Sequence, residues 1–146
     1  MSTTRYFAVI YGIVFLLVGI AGFIPGLVTP PQPVAEVAAD TVFGRLLGLF
    51  PINVWHNVVH IVFGIWGLVA YRTFGAARAY ARGVALIYAV LAVMGLIPVL
   101  NTTFGLIPLY GHDVWLHIML AAVAAYFGFF GPKGPAEGRV PATTIT

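Results

Sequence analysis

Residues 6–27 read YFAVIYGIVFLLVGIAGFIPGL, a run without a charged side chain that is long enough to cross a bilayer as a helix. Similar uncharged runs cover residues 54–71, 83–100 and 114–131, two of which contain histidine. No period-2 alternation of polar and apolar residues passes through these runs, so they favour helices over the strands of a membrane barrel. The sequence therefore predicts an all-α integral membrane protein with four spans.

The composition of the 146-residue chain supports the same class of protein. Hydrophobic residues make up 61% and charged residues 8%, against about 45–50% and about 25% in soluble domains. The mean hydropathy is +1.01. The net charge of +3 comes from scattered basic residues, which form no patch for binding nucleic acid, and the absence of cysteine excludes disulfides and thiol catalysis. We expect the lipid bilayer to be the main partner.

The basic residues predict the orientation in the membrane. Six of the seven precede the first run, lie between the second and third, or follow the fourth: Arg5, Arg72, Arg78, Arg82, Lys133 and Arg139. Because basic loops stay in the cytoplasm, both termini are predicted to be cytoplasmic, with loops 28–53 and 101–113 on the outer side.

The organisation outside the spans is also predicted. Residues 1–131 are expected to form a single four-span domain, and residues 132–146 a solvated C-terminal tail. In the first outer loop, Asp40 is a candidate N-cap for a short interfacial helix over residues 41–50, which Pro51 would end.

The two halves of the chain contain an internal repeat. The sequence GLFPI at 48–52 recurs as GLIPL at 105–109, and the pair His-Ile at 60–61 recurs at 117–118, always with an offset of 57. This pattern predicts a four-helix bundle built from two repeated helical hairpins with the same orientation. Small residues spaced three, four or seven apart predict close helix contacts in lipid; those assigned to helix packing are Gly19, Gly64, Gly67, Ala121 and Ala124.

Histidines near the outer ends of spans two and four are the main candidate site. One interpretation is a ligand set for haem, a transition metal or a chlorin, formed by His56, His60, His112 and His117, since imidazole binds such groups. His60 and His117 match in the repeat and are the predicted metal-binding pair, whereas His56 and His112 are expected to lie nearer the headgroups. The competing interpretation, which we favour, is that these side chains form hydrogen bonds between helices.

Three motifs resemble a known family: Gly22-Phe23-Ile24-Pro25-Gly26, then Leu47-Gly48-Leu49-Phe50-x-x-Asn53-x-x-His56-Asn57-x-x-His60, then Gly111-x-Asp113-x-x-Leu116-His117. The chain is similar over about residues 5–130 to a bacterial family of four-helix membrane proteins of unknown function, common in actinobacteria and cyanobacteria. The resemblance implies a bacterial inner-membrane location and a histidine-bearing four-helix fold. It implies no activity.

These observations predict no catalytic residue and no enzyme activity, because no span contains a carboxylate relay and no nucleophile motif is present. We expect a small multi-pass protein that acts as a structural or accessory subunit in the bilayer. It would associate with itself or with a larger energy-transducing complex. The alternatives are a histidine-ligated haem, metal or pigment protein and, with less support, a small transporter or channel.

Overall fold

The computed structural model describes residues 1–31 and 44–132, and in these ranges the chain is mainly helical. The long helices are α1 (Thr3–Ala21), α2 (Val54–Ala70), α3 (Phe74–Leu96) and α4 (His112–Ala125), and α4 continues as a π-helix over Tyr126–Phe130. Polar side chains cap the starts of three of them. Ser2 accepts a hydrogen bond from the Arg5 amide, Asn53 from that of His56, and Thr73 from that of Ala76.

Three of the helices in the described ranges are long and apolar enough to cross a membrane: Thr3–Ala21, Phe74–Leu96 and His112–Phe130. The fourth, α2, is equally apolar but has 17 residues. Three of the four long helices therefore have the length and apolar composition of membrane-spanning helices.

The third helix begins nine residues before the predicted span 83–100. The segment 74–82, expected to be a loop, is helical because Thr73 caps it and Ala76 and Ala77 favour a helix. The first helix is shorter than the predicted span 6–27. It stops at Ala21, and a 3₁₀ turn over Pro25–Leu27 replaces the predicted last residues of the span.

The predicted interfacial helix over residues 41–50 is wrong for the residues that the structure describes; its predicted N-cap Asp40 and residues 41–43 lie outside them. Instead, β1 (Val28–Thr29), β2 (Gly44–Leu46) and β3 (Phe50–Ile52) form an antiparallel sheet in the order β1-β2-β3. Leu47 and Gly48 have φ values of 52° and 74°, which a right-handed helix cannot contain. They form the tight turn that joins β2 to β3.

The helices pack chiefly in sequential pairs, α1 against α2 and α3 against α4. Glycines bring the first pair into backbone contact. A Cβ atom on Gly64 would lie 2.8 Å from the Leu16 amide nitrogen, and one on Gly67 would lie 2.8 Å from the Ala8 carbonyl oxygen. A Cβ atom on Gly19 would lie 2.8 Å from the Asn57 carbonyl oxygen. In the second pair, Ala121 and Ala124 are buried against the core.

Aromatic rings fill the centre between the two pairs. Phe15, Tyr80 and Tyr88 are almost completely buried among the alanines of α3 and α4. The Phe15 and Tyr88 rings stack with centroids 5.4 Å apart, and the Tyr80 ring meets the Trp66 ring edge-on. Leucine, isoleucine and valine instead dominate the exposed positions, which suits a surface that faces lipid.

Two arginines of α3 bind the π-helix that follows α4. The Nε atoms of Arg78 and Arg82 donate to the Gly128 carbonyl oxygen at 3.0 and 2.9 Å. A π-turn displaces backbone carbonyls from the regular α-helical pattern, so these guanidinium groups provide a polar partner. Gly128 also allows the close approach, because its Cβ would lie 3.0 Å from Arg82.

We expect Arg82→Met to lower the free energy of unfolding in detergent by about 1 kcal/mol, the usual net value of one hydrogen bond. Methionine retains the apolar stem, so the change removes mainly the guanidinium. Arg72→Met is the matched control, because Arg72 is exposed in the turn between α2 and α3. Equal thermal unfolding of the two variants would argue against a role for the bond to Gly128.

Candidate functional site

Six of the buried polar residues gather where α2 and α4 begin. We call Asn53, His56, Asn57, His60, Asp113 and His117 the polar cluster. Each of the six is at most 7% exposed. The end of the molecule that holds this cluster and the three-stranded sheet is called the sheet end.

Each histidine of the polar cluster is oriented by a backbone carbonyl oxygen in or directly before its own helix, which differs from the predicted hydrogen bonds between helices. The Nδ1 atom of His60 lies 3.0 Å from the His56 oxygen, and that of His117 lies 2.7 Å from the Asp113 oxygen. The His56 Nδ1 atom lies 3.1 Å from the Pro51 oxygen. Because a carbonyl oxygen only accepts, Nδ1 carries the hydrogen in all three rings, and a neutral ring then has its lone pair on Nε2.

The same local geometry occurs twice, 57 residues apart. His60 and His117 bond the carbonyl four residues earlier in the same way. Ahead of them, Gly48 and Gly105 have φ values of 74° and 85°, and in each case the preceding residue also has a positive φ. This conformational correspondence covers the same stretches as the sequence match between 48–61 and 105–118.

Aromatic rings enclose the histidines from the core side. The His117 ring stacks on Tyr88 with centroids 4.7 Å apart and an interplanar angle of 22°. Phe15 meets the His60 ring edge-on at 5.6 Å, and the His56 and His60 rings are 4.6 Å apart. Neither Tyr88 nor Phe15 is among the site residues predicted from the sequence. Their positions on α3 and α1, far from the histidines in sequence, gave no local signal.

The remaining polar groups connect the helices at the sheet end. Asn53 caps α2 and also donates through Nδ2 to the Leu106 carbonyl oxygen at 2.7 Å, which joins α2 to the segment before α4. One carboxylate oxygen of Asp113 lies 3.6 Å from the His117 Nδ1 atom and has no hydrogen-bond partner among the described residues. Asn57 packs directly against Gly22, where any Cβ atom would collide with its side-chain amide.

The structure places three of the four predicted ligands together. His60 and His117 are both buried in the polar cluster. His56, expected nearer the headgroups, is 5% exposed and belongs to the cluster as well. His112 does not: it is exposed at the start of α4. His56 occupies the position that corresponds to Asp113 in the repeat, which explains why both supply the carbonyl oxygen for a histidine four residues later.

Most of the chain matches a known protein family. A family model described as Domain of unknown function (DUF4383) matches residues 5–130. The chain belongs to this family. The match confirms the resemblance drawn from the three sequence motifs, and it spans all four helices. No curated protein and no solved structure matches the chain. Membership of the DUF4383 family therefore assigns no activity to the polar cluster.

The chemistry open to the cluster is limited by its geometry. Within residues 1–31 and 44–132, no group of three or more histidine, aspartate or glutamate side chains is placed to hold a metal ion. The rings and amides are instead enclosed by neighbouring helices, and the hydrogen bonds run to backbone oxygens. The local hydrogen bonds fix the rotamers of the histidine rings.

Proposed function

We propose that this protein is a non-catalytic structural or accessory subunit that packs in the bacterial plasma membrane. The observation that carries the proposal is the near-complete burial of the polar cluster between α1, α2, α3 and α4. A catalytic site needs access for a substrate, whereas these buried side chains are enclosed between helices, and their histidine rings bond to nearby backbone oxygens.

All four helices cross the bilayer in this proposal. α2 is about 26 Å long at 1.5 Å per residue, against a hydrocarbon core of about 30 Å. β3 leads into α2 through the single residue Asn53, so strand residues can occupy the remaining depth. The sheet and polar cluster lie at the outer face, and the arginine-rich ends of the helices lie in the cytoplasm.

We expect reporter fusions to show this orientation. A fusion after residue 40 should be active in an external reporter, and a fusion after residue 146 in a cytoplasmic one, because the basic residues remain on the cytoplasmic side. A cytoplasmic signal from the first fusion, or an external signal from the second, would reverse or break the proposed topology.

Association with other membrane helices is supported by a shallow groove between α3 and α4. It has a volume of about 440 Å³ and is lined largely by alanine, including Ala85, Ala89, Ala92 and Ala122. Small side chains let a second helix approach closely in lipid. We propose that the protein joins a homo-oligomer or a larger membrane complex, for which an energy-transducing complex is our candidate.

A second candidate function rests on the histidine orientation. Rings that donate Nδ1–H to a carbonyl oxygen and direct a lone pair from Nε2 are typical of ligands to metals and haem iron. His60 and His117 are the pair that would bind such a group, with His56 beside them. A haem, transition-metal or chlorin protein is therefore the alternative to the accessory subunit.

Separate purification of the wild type and of the variants His60→Ala and His117→Ala distinguishes the two functions. The accessory-subunit proposal predicts a colourless wild-type protein without stoichiometric metal, measured by absorption spectroscopy and elemental analysis. A visible absorption band or bound metal that both variants lose would establish the alternative. His112→Ala is the control, because the exposed His112 ring lies outside the polar cluster.

A further inference from the structure

A cavity of about 370 Å³ lies at the sheet end, between the β2–β3 hairpin and the start of α4. Arg45, Tyr110 and His112 give it polar walls, and Leu49 and Trp115 give it apolar ones. Its volume falls in the range of about 300–1,000 Å³ that is usual for small-ligand sites. None of the residues of the polar cluster lines it, so the cavity is separate from the buried histidines.

The described residues that line this cavity give it a positive charge through Arg45. The Arg45 Nε atom is buried without a hydrogen-bond partner among the described residues. Asp113 is the sole carboxylate that residues 1–31 and 44–132 contain, and its nearest basic group is His117. A guanidinium group remains charged at every physiological pH, and a buried unsatisfied donor is costly. The charge of Arg45 would attract an anion into the cavity that this residue lines.

Neighbouring groups are also compatible with an anion. Burial raises the pKa of Tyr110, against the smaller opposite effect of Arg45, so the phenol stays neutral near pH 7 and adds no negative charge to the cavity. Gly111 and His112 also line the cavity, and they form the N-terminal end of α4, where Gly111 provides no side-chain cap. The partial positive charge of a helix N-terminus adds to that of Arg45.

The apolar wall matches a ligand at a membrane surface. Trp115 is 67% exposed and Leu49 is 48% exposed beside the cavity. Tryptophan is enriched at the level of lipid headgroups because its ring is apolar and its N–H is polar.

We propose that this cavity binds a phosphate-type anion, with Arg45 as its main charged contact. Guanidinium groups suit phosphate because their planar N–H donors match two phosphate oxygens at once. The phosphate can belong to an anionic phospholipid headgroup or to free inorganic phosphate, and the two sources differ in the experiment that detects them.

The test uses the full-length protein in a maltoside detergent, which contains no phosphate. Native mass spectrometry measures binding of phosphatidylglycerol against phosphatidylcholine, and calorimetry measures binding of inorganic phosphate against chloride. We expect the wild type to prefer at least one phosphate anion over its neutral or chloride counterpart. A preference only for phosphatidylglycerol identifies a lipid source, and binding of inorganic phosphate identifies a free one.

Arg45→Gln should weaken that binding at least about tenfold, which corresponds to the loss of one charge-assisted contact. Arg72→Gln, at the opposite end of the molecule, should bind like the wild type. If Arg45→Gln fails to fold, His112→Gln replaces it, because His112 is a polar residue of the cavity wall and its exposed ring can be changed without disturbing the core. A wild type without preference for either anion, or unchanged affinity in the folded site variant, would overturn the proposal.

Discussion

Gly64→Leu is expected to abolish or strongly destabilise the folded protein. A Cβ atom at this position would lie 2.5 Å from the Leu16 Cγ atom, 2.8 Å from its amide nitrogen and 2.9 Å from the Gly12 carbonyl oxygen. A side chain there must separate the backbones of α1 and α2, and overpacking alone costs about 1–3 kcal/mol or more. We expect a loss of at least about 3 kcal/mol, measured by reversible unfolding in detergent, because backbone atoms cannot rotate away as side chains can.

Ile65→Leu provides the matched control on the adjacent residue of the same helix. Ile65 is 53% exposed on the surface that would face lipid, and the exchange preserves side-chain volume. Its unfolding should remain close to that of the wild type. Similar unfolding curves for Gly64→Leu and Ile65→Leu would show that the α1–α2 contact does not depend on Gly64.

His117→Ala is expected to be the most damaging single change in the polar cluster. The substitution removes the ring that stacks on Tyr88, the hydrogen bond to the Asp113 oxygen and the nearest partner of the buried Asp113 carboxyl group. Large-to-small changes at buried aromatic sites cost about 3–5 kcal/mol, and the smaller imidazole suggests about 2–4 kcal/mol here. Thermal unfolding in detergent measures the loss.

The same measurement on His112→Ala serves as the comparison, because His112 is exposed five residues earlier in the same helix. We expect a change within about 0.5 kcal/mol for this surface position. His117→Gln should recover part of the loss, since its amide can again donate to the Asp113 carbonyl oxygen. Equal effects of the two alanine substitutions would contradict a structural role for the buried ring.

The sequence predicted the helical membrane class well, because uninterrupted apolar runs leave few alternatives in lipid. His56, His60 and His117 could also be assigned to the same end of the spans from chain direction alone. Helix boundaries were predicted less well. The arginines at positions 78 and 82 suggested a loop, but the structure includes them in α3, where they bond to the π-helix.

The sheet could not be predicted from the apolar pattern of residues 44–52. Leu46, Leu47 and Phe50 suit one face of a short helix as well as a strand pair, and the choice depends on Leu47, a non-glycine residue with positive φ. Leu27 accepts a hydrogen bond from Leu47 at 2.8 Å, so a contact distant in sequence stabilises the turn. Local propensity contains no information about that contact.

The rings around the histidines depend on tertiary structure in the same way. Tyr88 reaches His117 because α3 and α4 pack together, and Phe15 reaches His60 because α1 and α2 do. Only the repeat offset of 57 suggested in advance that His60 and His117 have the same local backbone geometry. Their identical bonds to the carbonyl four residues earlier show the physical basis of that correspondence.

The mass of the protein as it is extracted from its own membrane tests the accessory-subunit proposal most directly. Native mass spectrometry from lipid nanodiscs, formed without prior detergent, measures the assembly and any bound group together. We predict that the 15.6 kDa chain is found with further copies or with other membrane subunits, and without the mass of a haem, chlorin or metal. A single chain, either alone or with a stoichiometric cofactor, would contradict the proposal.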